Sequence, residues 1–504
     1  MAFNSFNYFV FFPIVFIIFY LARHKQRWAV LLVASIFFYA TLKAPYLIAA
    51  LGIVTLVAYF CGLRLGATKS EGARKAMLIL TSAALSLPLI ALRYLPHLLQ
   101  YLKVIQLDEP IGGGVLTLGG LVTMGVSFFT LQAISYIIDI YLEVLKPERH
   151  LGVFALYMCF FPKLLQGPIE RGGELLPQLH QPYTFDYQRM REGLWQVGWG
   201  LVKKLVLADR IAQFVNPVYD NVQNFYGLPL ILATYLYALQ VYFDFSGYTD
   251  MALGVARLFN IRLTQNFNRP YLATSIPEFW RRWHISFSRW ILDYIFKPLQ
   301  MWWRNARAWG TAAALLVTFL FSGVWHGISG GFVAWGLLHG IYMACSALFS
   351  QRVRKFLKAR KLDKSKVVTA LQVFITFHLV CFAWVFFRAN NLSDGWYAAT
   401  HLIYGVPTAL RLLWSSLFPS VNSAGLLEFT QPLMLGQNLN SVLTLAGLLA
   451  AMAVLAILVP RCKDEHFPLG QPTAVRWAIY YLMVLVILFL GAYGSGQVFI
   501  YNQF

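Results

Sequence analysis

Long apolar runs joined by short basic connections recur along the chain, a pattern that predicts an all-α, polytopic membrane protein. Residues 3–22 are long enough to cross a bilayer, and Arg23, Lys25 and Arg27 follow at once. Lys and Arg favour the cytoplasmic side, so that end is expected inside and the N-terminus outside. Further runs at 28–42, 46–63, 76–92 and around SFFTLQAISYIIDIYL are separated by a turn at Pro45, by a loop carrying Arg64, Lys69, Arg74 and Lys75, and by an interfacial stretch with Pro96 and His97. Lys146 and Arg149 close the last of them. At the other end, the basic stretch 351–366 predicts a cytoplasmic loop, followed by spans at 367–387, 440–459 and 474–494. Both termini are then extracytoplasmic, the number of crossings is even, and about ten to twelve spans are predicted. The division expected is a membrane core over 1–350, the basic loop 351–366, and C-terminal spans over 367–504.

One region departs from this pattern. Between 151 and 300 the apolar runs are short and carry Pro162, Pro168, Gly247, Pro270 and Pro277. Irregular backbone at membrane depth survives only where protein or a water-filled cavity satisfies its polar groups, so re-entrant or tilted helices around a cavity are expected there.

Composition sharpens the class. The chain of 504 residues is 59% hydrophobic and 12% charged, with a mean hydropathy of +0.59. No soluble core needs so much apolar surface. The net charge of +20 would suit a nucleic-acid partner, but the basic residues fall in the connections, where membrane topology accounts for them, and no nucleic acid is expected. Five cysteines are scattered without metal or disulfide spacing and read as reduced packing residues; no metal is called for. The first run lacks a basic leader and a small-residue cleavage site, which predicts a retained span.

Candidate chemistry concentrates at 240–340, with an outlier upstream. FFPKLLQGPIERGGELLPQL sets Lys163, Glu170, Arg171 and Glu174 among prolines and glycines: a re-entrant turn with mutually paired charges, or a cavity mouth where Lys163 and Arg171 attract an anionic donor. In VYFDFSGYTD, Asp244 and Asp250 are six residues apart, off one helix face, so Asp244 reads as an acceptor for backbone or a nearby arginine rather than half of an acid/base dyad. PEFWRRWHIS brings Glu278, Arg281, Arg282 and His284 within two turns, with Glu278 spaced to pair with either arginine. SGVWHG places Trp325 and His326 late in an apolar run before a glycine cluster. Histidine is the side chain suited to moving a proton near neutral pH, and an ionisable group at membrane depth is a functional candidate by default. His339, in LLHG, resembles it without the preceding tryptophan.

Taken together, GVSFFTLQAISYIIDIY, FFPKLLQGPIER, VYFDFSGYTDMALG, NFNRPYLATSIPEFWRRWHISFSRW, SGVWHG and FAWVFFRA resemble the membrane-bound O-acyltransferase (MBOAT) superfamily, in its bacterial branch of alginate O-acetylation and teichoic acid D-alanyl transfer proteins. The resemblance implies a ring of helices around a funnel joining cytoplasm to exterior. It maps the family's invariant histidine onto His326 and a second onto His284. The ending FIYNQF is similar to the branch's FxYxxF, with Phe499, Tyr501 and Phe504 in register, and implies that Tyr501 carries the acyl group. A thiol and a phenol have pKa values of about 8.5 and 10, so an aryl ester keeps much of a thioester's reactivity.

The resemblance thus implies three catalytic residues, His326, His284 and Tyr501; the residues themselves offer Lys163, Arg171, Asp244, Arg281, Arg282 and Trp325 as substrate- or donor-binding candidates. It also implies an acyl thioester, acetyl-CoA foremost, as donor substrate with no bound cofactor. The expected partners are a serine-esterase-like (SGNH) acyltransferase outside the membrane and polysaccharide-export proteins, and the expected location is the bacterial inner membrane. One departure leaves donor and acceptor open: Gln300, Met301, Trp302 and Trp303 stand where acetyl-transferring relatives carry a Gly-Gly-Asn-Arg turn. D-alanyl transfer from a carrier protein is the alternative within this class. A transporter or flippase of lipid-linked sugars would need pseudo-symmetric halves, which are not seen, and a glycosyl- or prenyltransferase would need an Asp-rich loop.

Overall fold

The computed structural model describes residues 1, 3–101, 123–404, 407, 434–458, 467–493 and 499; all regular structure among them is helical. Seven helices are long and apolar enough to cross a membrane: Pro45–Ala67, Glu71–Tyr94, Leu228–Leu258, Arg304–His326, Gly330–Ala359, Lys366–Arg388 and Thr473–Leu490. Three shorter apolar helices, Phe6–Leu21, Val126–Tyr141 and Leu439–Ala451, add to them. The chain is therefore a multi-pass membrane protein, and Pro45–Ala67, Glu71–Tyr94, Lys366–Arg388 and Thr473–Leu490 fall where apolar runs predicted spans. Large apolar side chains such as Phe6, Leu21, Ile53 and Phe489 stand on the outside, where lipid rather than protein covers them.

Two large apolar cores organise the helices. The first joins Phe6–Leu21, Arg27–Ala40, Pro45–Ala67 and Val126–Tyr141 to residues 153–183 and to the C-terminal half of Leu228–Leu258. The second joins the other half of that helix to residues 207–222, 267–283 and 380–398. A third, smaller core of Phe128, Leu131, Ile169, Phe287, Trp290, Ile291 and Trp325 draws residues from four separate segments, and both candidate histidines border it.

The irregular region is only partly as expected. Residues 160–170 are non-helical and wholly buried. Their polar atoms are satisfied partly within the segment, as by the Gly167 amide on the Lys163 carbonyl at 2.9 Å, and partly from outside it: the Phe161 amide donates to Ser35 Oγ at 3.0 Å and the Tyr157 hydroxyl to the Glu170 carbonyl at 3.1 Å. That is how irregular backbone is tolerated in such a setting. Pro270 and Pro277 sit in first turns, where no backbone donor is lost.

Gly247, expected as a break, is not one. Leu228–Leu258 is a single helix of 31 residues running through it. A helical glycine costs about 1 kcal/mol relative to alanine, but here its bare Cα lets two backbones meet. A Cβ added at Gly247 would lie 2.9 Å from the Gly200 carbonyl oxygen, and one at Gly200 would lie 2.6 Å from that of Gly247.

The basic stretch 351–366 also differs from a loop, because helix Gly330–Ala359 continues through most of it. Lys, Arg, Gln and Leu are good helix formers, so nothing in that sequence stops the helix at the membrane boundary. The next helix packs into the same body. Lys366–Arg388 buries Val380, Cys381 and residues 383–387 in the second core.

Candidate active site

His284 stands in a corner between two short helices, Ile276–Arg282 and Ile285–Ile291. The first begins at Ser275, whose hydroxyl accepts the Glu278 amide, and stops when Trp283 turns extended. His284 then takes φ +42°, a left-handed conformation uncommon outside glycine that costs roughly 1–3 kcal/mol when imposed on such a residue. An adjacent extended segment holds it there. The Asn268 amide donates to the Arg282 carbonyl at 2.9 Å, the Ile285 amide to the Asn266 carbonyl at 3.0 Å, and the Ser286 amide to Asn266 Oδ1 at 3.1 Å. Ser286 Oγ in turn accepts the Ile169 amide at 3.0 Å, tying the corner to the buried 160–170 loop. The imidazole is 1% exposed, stacked on Phe287 at 5.1 Å and edge-on to Phe245 at 4.7 Å.

His326 is the last residue of Arg307–His326, 3% exposed. That helix packs closely on Gly330–Ala359: a Cβ at Gly323 would lie 2.5 Å from the Phe332 carbonyl oxygen, and one at Gly336 would lie 2.5 Å from that of Phe319. The close approach sets the His326 ring 5.0 Å from Trp335, 5.2 Å from Phe387 and 4.8 Å from Trp325. Phe287 connects the two histidines. It stacks on Trp325 at 4.3 Å and on His284, and presents its ring edge-on to His326 at 5.9 Å. The result is a pair of imidazoles in an aromatic shell that excludes bulk water. Such groups can take and return a proton from a reacting hydroxyl without competition from solvent.

The remaining candidates are distributed differently. Trp325 is in this shell. Lys163 is 3% exposed, with Nζ hydrogen-bonded to Gln132 Oε1 and 5.5 Å from the Tyr157 ring centre, so the structure places it inside the loop rather than at a mouth. Arg171 pairs with Asp293 and covers Tyr294, while Glu174 meets Arg289 at 2.9 Å and Glu170 accepts from Thr264. Arg171, Glu174 and Glu170 thus find partners in other segments, which the expectation of mutually paired charges did not foresee, while Lys163 and Glu170 are also close enough to act on each other's charge, as it did. Asp244 is 2% exposed and bound by Lys204 Nζ at 2.7 Å, so its cationic partner is a lysine where an arginine was expected. Arg282 pairs with Glu278 at 2.6 Å, and Arg281 points outward, exposed. Tyr501 and Phe504 lie outside the described residues; Phe499 is described and buried.

Sequence reasoning passed over two residues at the site. Arg93 donates both to the His326 carbonyl and to Ser127 Oγ, gripping the end of the histidine's helix, and Tyr94 donates to the Val324 carbonyl at 3.0 Å. An arginine within a long apolar run was the available signal. His339, buried behind Trp335 at 5.1 Å, accepts the Trp280 indole N–H on Nδ1 at 3.2 Å, which assigns its own proton to Nε2.

A helical membrane body that buries histidines at the meeting point of its cores has the groups for proton transfer away from water, and comparison with known proteins supplies the class of reaction. Residues 148–387 match MBOAT, the membrane-bound O-acyltransferase family, a span that includes both histidines and ends at Phe387 against His326. The chain is 31% identical to the peptidoglycan O-acetyltransferase of Helicobacter pylori over 98% of its own length and 96% of that protein. It is 33% identical to "Probable alginate O-acetylase AlgI" of Pseudomonas aeruginosa over 77% of its length and 72% of the relative. It is 28% identical to the teichoic acid D-alanyltransferase of Bacillus subtilis over 53% and 69%. The chain belongs to the MBOAT family and is an acyltransferase of the membrane.

Proposed function

We propose that this protein passes an acyl group, acetyl foremost, from a cytoplasmic thioester through the membrane toward hydroxyls of a cell-surface or exported polysaccharide. The observation that carries this reading is the burial of His326 and His284 on either side of Phe287, within the family-matching segment. His326 acts as general base. It takes the phenol proton of Tyr501 as the phenolate oxygen attacks the thioester carbonyl; the C–S bond breaks, the proton passes to the departing thiolate, and an aryl ester remains. His284 assists by orientation or proton transfer. The ester then passes to a serine-esterase-like partner outside the membrane, or to the polymer hydroxyl itself, regenerating the phenol. Relatives named for peptidoglycan and alginate support a polysaccharide acceptor and, with it, placement in the bacterial inner membrane. The D-alanyltransferase relative supports a second reading in which the thioester is held on a carrier protein.

The test is surface-polymer acylation in cells whose own gene is replaced by His326→Ala. Unaltered acylation with normal membrane abundance would sink the base assignment. Tyr501→Phe keeps the ring and removes the nucleophile; undiminished transfer there rules out the relay.

A further inference from the structure

We propose that Arg93 is a positioning residue for His326: its guanidinium, seated on that histidine's carbonyl, braces the end of the helix that carries it. The inference rests on the assignment of His326 as general base. Arg93 and its second partner, Ser127, both lie outside residues 148–387, the segment that matches the family.

The last carbonyls of an α-helix have no partner within it. At the end of Arg307–His326 the Gly327 amide reaches back to the Gly323 and Val324 carbonyls at 3.2 and 3.1 Å. Helix Glu71–Tyr94 supplies donors for the rest of the row. The Tyr94 hydroxyl donates to the Val324 carbonyl at 3.0 Å, with the Trp325 carbonyl 3.5 Å away, and Arg93 donates to the His326 carbonyl. Both residues fall in the π-helical turn Ile90–Tyr94, an interruption of the α-helical ladder of the kind frequent at functional sites.

A cation suits this place. Among the described residues no carboxylate pairs with Arg93, and the carbonyl end of a helix carries partial negative charge. The other arm of the same guanidinium donates to Ser127 Oγ, in the first turn of Val126–Tyr141. Gly125, just before that helix, takes φ +83° and lies so close to the buried loop that a Cβ there would be 2.7 Å from the Leu164 carbonyl oxygen. Phe128, next to Ser127, meets Trp325 at 5.6 Å and His284 at 6.3 Å. Arg93 therefore ties the end of one helix to the start of another, and both helices contribute rings to the histidine shell. The planar fork fixes the two bonds relative to each other, which an ammonium does not.

Hydrogen exchange of the purified full-length protein in detergent reads the brace without reference to activity. Arg93→Met is expected to speed exchange in peptides covering 324–332 at least about fivefold while peptides covering 236–250 stay within about twofold. Arg93→Lys keeps the cation without the fork and should fall between. A misplacement of about 1 Å can cost a reaction about 10²-fold, so polymer acylation per membrane-inserted protein should drop about 10- to 100-fold in Arg93→Met and recover to within about fivefold of the parent in Arg93→Lys. Unchanged exchange at 324–332, or exchange raised equally in both sets of peptides, overturns the brace. If Arg93→Met does not accumulate, Arg93→Lys alone decides: at least about a twofold rise at 324–332 is expected, and no rise overturns the brace. Faster exchange with parental acylation per protein overturns the positioning role. His326→Ala in the same cells separates the two readings. If it acylates normally, the base assignment falls with the positioning role, and exchange still decides the brace; if it does not while Arg93→Met does, the positioning role alone is wrong.

Discussion

The histidine corner and the surroundings of Lys204 meet one helix at consecutive residues, Phe245 and Asp244, yet they are held by opposite means. Around His284 and His326 aromatic rings make up much of the shell, and position comes from packing, from glycines that admit close helices, and from hydrogen bonds to the adjoining backbone. Around Lys204 the neighbours are carboxylates, and adjacent Lys203 repeats the pattern with Asp250 at 2.6 Å. A proton-transfer group needs a partner only during reaction, so a permanent countercharge would compete with its substrate. A permanently charged group in an apolar body needs its countercharge always. Shape therefore fixes the proposed proton-transfer groups, and charge fixes the scaffold beside them.

This contrast can be broken from either side. The largest effect is expected at the corner: His326→Ala should lower polymer acylation about 10²- to 10⁴-fold, the usual contribution of a general base, with little change in resistance to unfolding in detergent. Lys204→Met should do the reverse. It strands two buried carboxylates, and loss of one partner of a buried pair costs about 3–5 kcal/mol, so the expected readout is a collapsed thermal midpoint or failure to accumulate in the membrane. A stable Lys204→Met protein would show that charge does not hold this region.

Intermediate effects should come from shape. Gly336→Leu forces a side chain toward the Phe319 carbonyl, and overpacking of this kind costs about 1–3 kcal/mol; a lower midpoint should accompany reduced acylation, because the same helix carries Trp335 and His339. The smallest effects belong at the rim. Arg282→Ala removes the partly exposed pair with Glu278 and should cost no more than about 1 kcal/mol, and Arg281→Ala should stay within about 0.5 kcal/mol. Burial works to raise the Glu278 carboxyl, but the Thr274 hydroxyl and amide and Arg282 outweigh it and hold the carboxyl below its ordinary range. Its contribution is then fully present above the unfolded carboxyl's pKa of about 4.3 and is lost as pH falls through the lower folded value. The midpoint of the parent should therefore fall more steeply in that acid window than that of Glu278→Gln.

Much of the fold was legible because bilayer thickness and the bias of Lys and Arg act on each segment separately. Spans such as 46–63 and 367–387 needed no partner to be recognised, and they appear as Pro45–Ala67 and Lys366–Arg388. His284 and His326 stood out for a similar reason, as ionisable rings in apolar surroundings. What local pattern could not reveal was pairing. The sequence alone determined an all-α membrane protein, its principal helices and the residue types from which its chemistry is built. Only the tertiary structure decided that Gly247 joins helices instead of breaking one, that Asp244 answers Lys204 from 40 positions away, and that Lys366–Arg388 belongs to the core beside His326. Hydropathy and charge bias are summed along the chain, whereas burial, countercharge and ring contact depend on which segments meet in space.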